Sequence, residues 1–346
     1  MNEIICLTDY KNHFGSKWSA SPYRSGLDKN GLTSDFKKYG YQLKFISMNE
    51  VDFTKPQWKG ANVLYASSEE YGLYYKDFIE DVVMGLQEVG ANLLPHSLFL
   101  RANNNKDFME ILRQIKLPAK LRTIKAQVFG TYNELDAALN EGLVPLPCVI
   151  KKSAGAMSRG VYLAKDEKDL RKKAKQISYT GTLKIKLKEF LRTIKHKGYL
   201  AESCFQNKFI VQPFIKGLVN DWKILIYGEK YFILKRNIKK NDFRASGSGL
   251  SYTSGSNSDF PPILLNFVRE FFLTLDVPNL SVDIAYDGSK PYVFEFQALH
   301  FGTSTHYKSK DYYEYSKGSW IFKPNDISQE EVYVYSIFEY LKRKNG

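Results

Sequence analysis

Along roughly the first third of this chain, short β-branched and aromatic runs take turns with segments of helical period. Residues 4–7, 43–46, 63–66 and 92–94 read as strands, with helices over 33–39 and 73–88 between them. Strands separated by helices predict an open α/β domain with a largely parallel sheet. Ligands in such sheets sit beyond the carboxyl ends of the strands. That points to two polar loops, residues 12–26 (with Trp18, Tyr23 and Arg24) and 67–71.

Beyond Asn105 the rhythm changes. A helix is predicted from Lys106 to residue 115, a strand over 125–129, and a further helix opened by the capping box Thr131-x-x-Glu134. Residues 149–151 and 161–164 flank a run of small residues as a hairpin. From Phe209 strands dominate, over 210–215, 223–227 and 231–236, the last two joined at Gly228-Glu229. Residues 262–275 read as a helix, and 329–342 as a packing helix through Val332, Ile337, Phe338 and Leu341.

The densest chemistry lies between Ser281 and Gln297. Asp287-Gly288-Ser289-Lys290 is a turn signal between two β-rich runs, 281–287 and 291–297. With Asp287 facing Pro291, Asp283 lies opposite Glu295, and Gln297 shares that face. Opposed carboxylates repel, and a hard cation such as Mg²⁺ would convert the repulsion into ligation. Upstream, residues 234–249 carry Arg236, Arg244 and a Gly/Ser turn. Forked guanidinium groups and close-approaching backbone N–H donors are what a phosphoryl group requires.

Further segments fall in line with these. They are Asn105-Lys106; Lys151 with the loop Ser153-Ala154-Gly155-Ala156-Met157-Ser158-Arg159-Gly160; Gln212-Pro213-Phe214; and Asp221. Taken together they resemble the ATP-grasp superfamily, and most of all its glutamate-ligase-like carboxylate–amine ligase branch, over about residues 106–305. The resemblance implies an N-terminal α/β (pre-ATP-grasp) domain over residues 1–101. A two-subdomain α+β ATP-grasp fold would follow over 102–206 and 207–346. It further implies ATP with Mg²⁺, or Mn²⁺ as an alternative ion. Lys106, Lys151 and Arg236 would neutralise the triphosphate, and Ser153, Ser158 and Gly160 would close over it. Gln212 and Phe214 would lie at the adenine edge and Asp221 near the ribose or at the start of the next strand. Asp283, Glu295 and Gln297 would be the metal ligands, with Arg244 stabilising the transferring phosphoryl. Two features depart from the family pattern: Gln297 stands where Asn is usual, and Gln297-Ala298-Leu299-His300-Phe301-Gly302-Thr303 replaces Asn-x-Ser-Pro-Gly.

The implied reaction is ADP-forming amide ligation through an acyl phosphate, with an acidic saccharide, amino acid or peptide as acceptor. A kinase, a peptide macrocyclase and a polyanion-binding module with a regulatory nucleotide site stay open as alternatives. The chain has 346 residues, 43% apolar and 25% charged, ample for two or three domains. Three distant cysteines suggest neither a disulfide framework nor zinc. With no signal-peptide pattern and no apolar run of about 18 residues, a reducing cytoplasm is expected. The net charge of +13 favours acidic partners. Much of the excess lies over residues 165–197, which read as a solvated helix face or as a dock for an acidic polysaccharide or phosphorylated acceptor; nucleic acid is not expected.

Overall fold

The structure, a computed structural model, describes residues 2–155, 160–238, 252–254 and 260–345. In chain order the elements are β1 (Asn2–Thr8), α1 (Lys29–Lys38), β2 (Tyr41–Ser47), β3 (Asn62–Leu64), α2 (Tyr74–Glu88), β4 (Asn92–Leu94) and α3 (Ser97–Ala102). Next come α4 (Lys106–Lys116), β5 (Gln127–Phe129), α5 (Tyr132–Asn140), β6 (Cys148–Lys152), β7 (Val161–Ala164), α6 (Glu167–Ser178) and α7 (Leu183–Lys195). The C-terminal part holds β8 (Phe209–Pro213), β9 (Asn220–Tyr227), β10 (Lys230–Asn237), β11 (Tyr252–Ser254), α8 (Pro262–Leu275), β12 (Asn279–Tyr286) and β13 (Pro291–Gln297). It closes with α9 (Ser304–Lys308), β14 (Asp311–Ser316), β15 (Ser319–Pro324) and α10 (Gln329–Asn345).

These strands make three sheets. The first is parallel, in the order β2-β1-β3-β4. Alternation along β1 sends Ile4 and Cys6 to one face, where Leu32 and Phe36 of α1 cover them, and Ile5 and Leu7 to the other, against Ile79, Val83 and Leu86 of α2. The first of these layers is completed from the far end of the sequence by Val334, Ile337, Tyr340 and Leu341 of α10.

The second sheet, β5-β8-β6-β7, is antiparallel and buries Cys148, Ile150, Phe209 and Val211 against α5 and α6. Thr131 and Glu134 form the expected reciprocal cap at the start of α5. The third sheet runs β13-β12-β9-β10-β14-β15, with β11 also on β10. Its apolar face, with Trp222, Ile224, Ile226, Ile233, Val282 and Ile284, packs on Leu264, Val268, Phe271 and Phe272 of α8.

An open parallel α/β domain followed by two α+β sheets is the predicted class. Boundaries moved by a few residues. The first helix begins at Lys29, capped by the Asp28 carboxylate on the N–H groups of Asn30 and Gly31, and β8 ends at Pro213.

Because Ile337 lies far along the chain yet fills the N-terminal core, Ile337→Ala is expected to lower the unfolding free energy by about 2–5 kcal/mol. The same change at the exposed Ile194 should stay within about 0.5 kcal/mol. Urea unfolding of both variants checks the contrast.

Candidate active site

Since β9, β10, β12 and β13 commit one face to the core, their intervening residues build a layer of charge on the other. It consists of Asp221 and Lys223, Arg236, Asp283, and Glu295 with Gln297. In the ladder Asp283 pairs with Glu295 on one side and Lys223 on the other, and Arg236 pairs with Asp221. The turn, however, is one residue longer than expected. Tyr286, not Asp287, pairs with Pro291, and the Asp287 Oδ1 accepts from the N–H groups of Ser289 (2.8 Å) and Lys290 (2.7 Å). A bulge then passes over Phe294 and restores the Asp283–Glu295 pairing.

The mutual repulsion expected of Asp283 and Glu295 is not what governs the site. Arg236, nearly fully buried, donates from Nε and Nη2 to Asp221 Oδ1 and Oδ2 at 2.6 and 2.8 Å, and its Nη2 lies 2.9 Å from Asp283 Oδ2. Lys223 Nζ stands 3.6 Å from the other Asp283 oxygen. Asp283 is therefore neutralised by its own sheet. Burial opposes the Arg236 charge, but Asp283 and Asp221 outweigh it and raise its pKa. Burial pushes Asp221 up to about 6 against the pull of Arg236. On Asp283 burial pushes the same way, yet Arg236 and Lys223 prevail and hold it below the usual carboxylate range. Asp221, expected near the ribose or at the start of the next strand, lies at the start of β9 with both oxygens committed to Arg236.

Two lysines face this layer, Lys106 at the start of α4 and Lys151 on β6 of the second sheet. Asn105 caps α4 at the Phe108 N–H and accepts from Ser153 Oγ (3.1 Å) and Lys208 Nζ (2.8 Å). Lys106 donates its backbone N–H to Ser153 O (3.0 Å) and its Nζ to Gly155 O (2.7 Å), while that Nζ lies 4.0 Å from Glu295 Oε1. The Asn104 Oδ1 accepts from the Gly155 N–H at 2.9 Å. Lys151 holds its Nζ 5.7 Å from the centre of the Phe294 ring. Burial lowers its pKa to about 8, with Glu295 and Glu110 opposing.

At the rear, Gln212 donates to Glu110 Oε1 (2.9 Å), which also takes the buried Arg113, and the Phe214 N–H donates to Pro147 O (3.1 Å). Gly160, at φ +76°, accepts from the Lys152 N–H at 2.9 Å; a Cβ there would lie 2.8 Å from the Lys152 side chain. Ser158 and Arg244, with the turn Gly247 to Gly249, lie outside the described residues.

Lys106, Lys151, Asp283, Glu295 and Gln297 thus meet across one cleft between the two sheets, with Arg236 beneath. Sequence reasoning passed over Lys223 and Glu110. The signal for the first was the alternation Asp221-x-Lys223, which puts the lysine on the charged face. The donor set suits a hard divalent cation. Asp283 Oδ1 is buried without a hydrogen-bond partner, and Glu295 stays about a third exposed beside it. Among the described residues no three His, Cys, Asp or Glu side chains gather for a metal, and Gln297 is the adjacent side chain whose amide oxygen could join Asp283 and Glu295. Its amide nitrogen now donates to Glu295 Oε1 at 3.3 Å, and ligation requires the amide to turn its oxygen inward.

Past Gln297 the chain meets the N-terminal domain. Asn103 donates to His300 O and the Trp18 N–H to Thr303 Oγ1, both at 2.8 Å. Burial keeps the His300 imidazole neutral, its pKa below the ordinary value, with Glu69 pulling the other way. Arg24, at φ +64°, lies against the ring of Tyr23.

No family model and no curated protein sequence matches the chain. Solved structures do. A D-cycloserine synthetase aligns with a TM-score of 0.54 at 10% identity, over 98% of this chain and 100% of that one. D-alanine–D-alanine ligase from Bacillus anthracis gives 0.51 at 14% identity over the whole of both chains. The RimK domain ATP-grasp protein from Sphaerobacter thermophilus gives 0.50 at 12% identity, over 97% and 98%. The chain has the ATP-grasp fold.

Removing the Asp283 charge leaves Lys223 without its nearest carboxylate and Arg236 with one of its two. Asp283→Asn is accordingly expected to destabilise the protein by up to about 3 kcal/mol. Glu295→Gln, at a partly exposed position 4.0 Å from Lys106, should cost under about 1 kcal/mol. Chemical unfolding of the two variants distinguishes this order from the reverse, which mutual repulsion at Asp283 would produce.

Proposed function

We propose that this protein is an ATP-dependent carboxylate–amine ligase, forming an amide through an acyl phosphate and releasing ADP and phosphate. The observation that carries the reading is the convergence of Lys106 of α4 and Lys151 of β6 with Glu295 and Asp283 of the third sheet. Two cations face two carboxylates across a cleft, in a fold shared with a ligase and a synthetase of D-amino acid chemistry.

Phosphoryl transfer depends on positioning and charge neutralisation rather than on a protein nucleophile. Lys151 and Lys106 take the triphosphate oxygens, and the Ser153 to Gly160 loop encloses them. Asp283, Glu295 and Gln297 would hold Mg²⁺, which when bound neutralises phosphate charge and orients the chain of phosphates. Arg236 fixes Asp283 in place. Gln212 and Phe214 border the adenine, and Arg244, by its place in the resembling segment, stabilises the transferring phosphoryl. The acceptor carboxylate lies toward His300 and Thr303, where the N-terminal loops close the cleft. A carboxylate oxygen attacks the γ-phosphorus, ADP departs, and an amine then displaces phosphate from the acyl carbon. The substrates are small molecules or peptides carrying those two groups.

Screening carboxylates against amines for ADP release tests this reading. Turnover is expected only when both are present, with oxygen-18 passing from the labelled carboxylate into phosphate. ADP formed from a hydroxyl substrate with no amine would instead make the protein a kinase.

Lys151 offers a second test. Its pKa of about 8 in the free protein means that above about pH 8 it is mostly neutral, and a bound triphosphate raises the value. ATP binding should then take up a proton near pH 8.5 but not near pH 6.5, and apparent affinity should fall as pH rises through about 8. Calorimetry in two buffers of different ionisation enthalpy measures the uptake. It should vanish in Lys151→Met; its persistence there would assign the proton elsewhere.

A further inference from the structure

Helix α7 is docked the wrong way round for an ordinary surface helix. At 3.6 residues per turn, Leu183, Leu187, Phe190, Leu191 and Ile194 fall within an arc of about 100°. That stripe faces away from the protein: each of its residues is more than half exposed, Leu183 at 86% and Ile194 at 68%. The side turned inward is polar. Glu189, only 5% exposed, accepts from the Tyr199 hydroxyl (2.7 Å), the Glu202 N–H (3.1 Å) and Arg192 Nη1 (2.5 Å). A carboxylate network thus ties the helix to the segment that follows it, and its apolar stripe is left uncovered by the described residues.

The charges around the stripe are sorted as well. Lys184, Lys188 and Lys195 line one margin and Lys186 the other. On the neighbouring α6, Arg171 pairs with Asp136 and Glu167, and Lys173 with Asp169. Among the described residues, by contrast, no acidic side chain pairs with Lys184, Lys188 or Lys195. The one carboxylate of α7 is the buried Glu189.

We propose that α7 attaches this protein to an anionic lipid surface, lying in the interface with its leucine and phenylalanine stripe among the acyl chains and its lysines at the phosphate level. An exposed apolar ridge flanked by cations complements a deformable, flat, anionic layer, and long lysine stems reach from the stripe to the headgroups. A partner helix would be seated in a groove, whereas this stripe stands free along the whole helix. A second copy would set unpaired lysine rows against each other. The net charge of +13 adds long-range attraction. Attachment is peripheral, since no helix among the described residues is long and apolar enough to cross a membrane.

Co-sedimentation of the full chain with large vesicles tests this. Binding is expected to phosphatidylcholine vesicles containing one-third phosphatidylglycerol and not to pure phosphatidylcholine. Raised salt should weaken it. Leu187→Glu with Phe190→Glu, and separately Lys184→Glu with Lys188→Glu and Lys195→Glu, should each reduce partitioning by more than about tenfold while keeping the native far-ultraviolet dichroism. Phe190→Trp should show blue-shifted emission on the anionic vesicles only. Failure to bind the phosphatidylglycerol vesicles, or binding indifferent to the Leu187 and Phe190 changes, overturns the proposal. A concentration-dependent dimer abolished by those changes, without vesicle binding, would give the stripe to a second copy. Capture of an acidic peptide alone would give it to a protein partner. Either result also overturns the lipid assignment.

Discussion

One buried guanidinium sets the terms for this molecule. Arg236 lies between Asp221 and Asp283 inside a sheet whose opposite face packs its apolar residues on α8. Burying a lone carboxylate at either position would be prohibitive, and placing Asp283 opposite Glu295 makes it worse. With Arg236 and Lys223 in place, the layer remains charged and fixed before any ligand arrives. The cost of desolvation is met within the fold, and what the cleft presents is the less buried pair, Glu295 and Gln297, beside Lys106 of α4 and Lys151 of β6.

This layer also fixes how the two sheets must meet. Lys106 reaches both the loop at Gly155 and the carboxylate of Glu295, so the N-terminus of α4 fastens the second sheet's small-residue loop to the third sheet's acidic strand. Asn105 and Asn104 hold that loop through side-chain oxygens. The cleft is therefore built from contacts between segments far apart in the chain, and a loss at Asn105 propagates to Ser153 and to Lys208 together.

Much of this was legible in the chain itself, for specific reasons. Period-2 patterns separated by turn residues gave the hairpins at Gly228 and Gly288, and opposed acidic residues on β12 and β13 marked the site. The pairing of Asp283 with Glu295 came out as expected, though through a longer turn and a bulge at Phe294 that no local signal announces. The ion pairs were not legible. That Arg236 turns to Asp221 and Asp283 is a property of strand order, β12-β9-β10, which periodicity does not encode. The hairpin of β14 and β15 was overlooked despite the Lys317-Gly318 turn. Residues 165–197 looked like a uniform basic face. In the fold they divide into α6, where Arg171 and Lys173 pair with carboxylates, and α7, whose apolar stripe points outward while Glu189 holds its other side.

The central claim is that the Arg236-supported layer receives a divalent metal together with a nucleotide. Electron paramagnetic resonance of Mn²⁺ titrated into the protein measures this directly, with and without a non-hydrolysable ATP analogue. The account predicts weak Mn²⁺ binding to the free protein, tight binding once the analogue is present, and loss of the tight component in Glu295→Gln and Asp283→Asn. Tight Mn²⁺ binding that ignores the nucleotide, or that survives both substitutions, would contradict it.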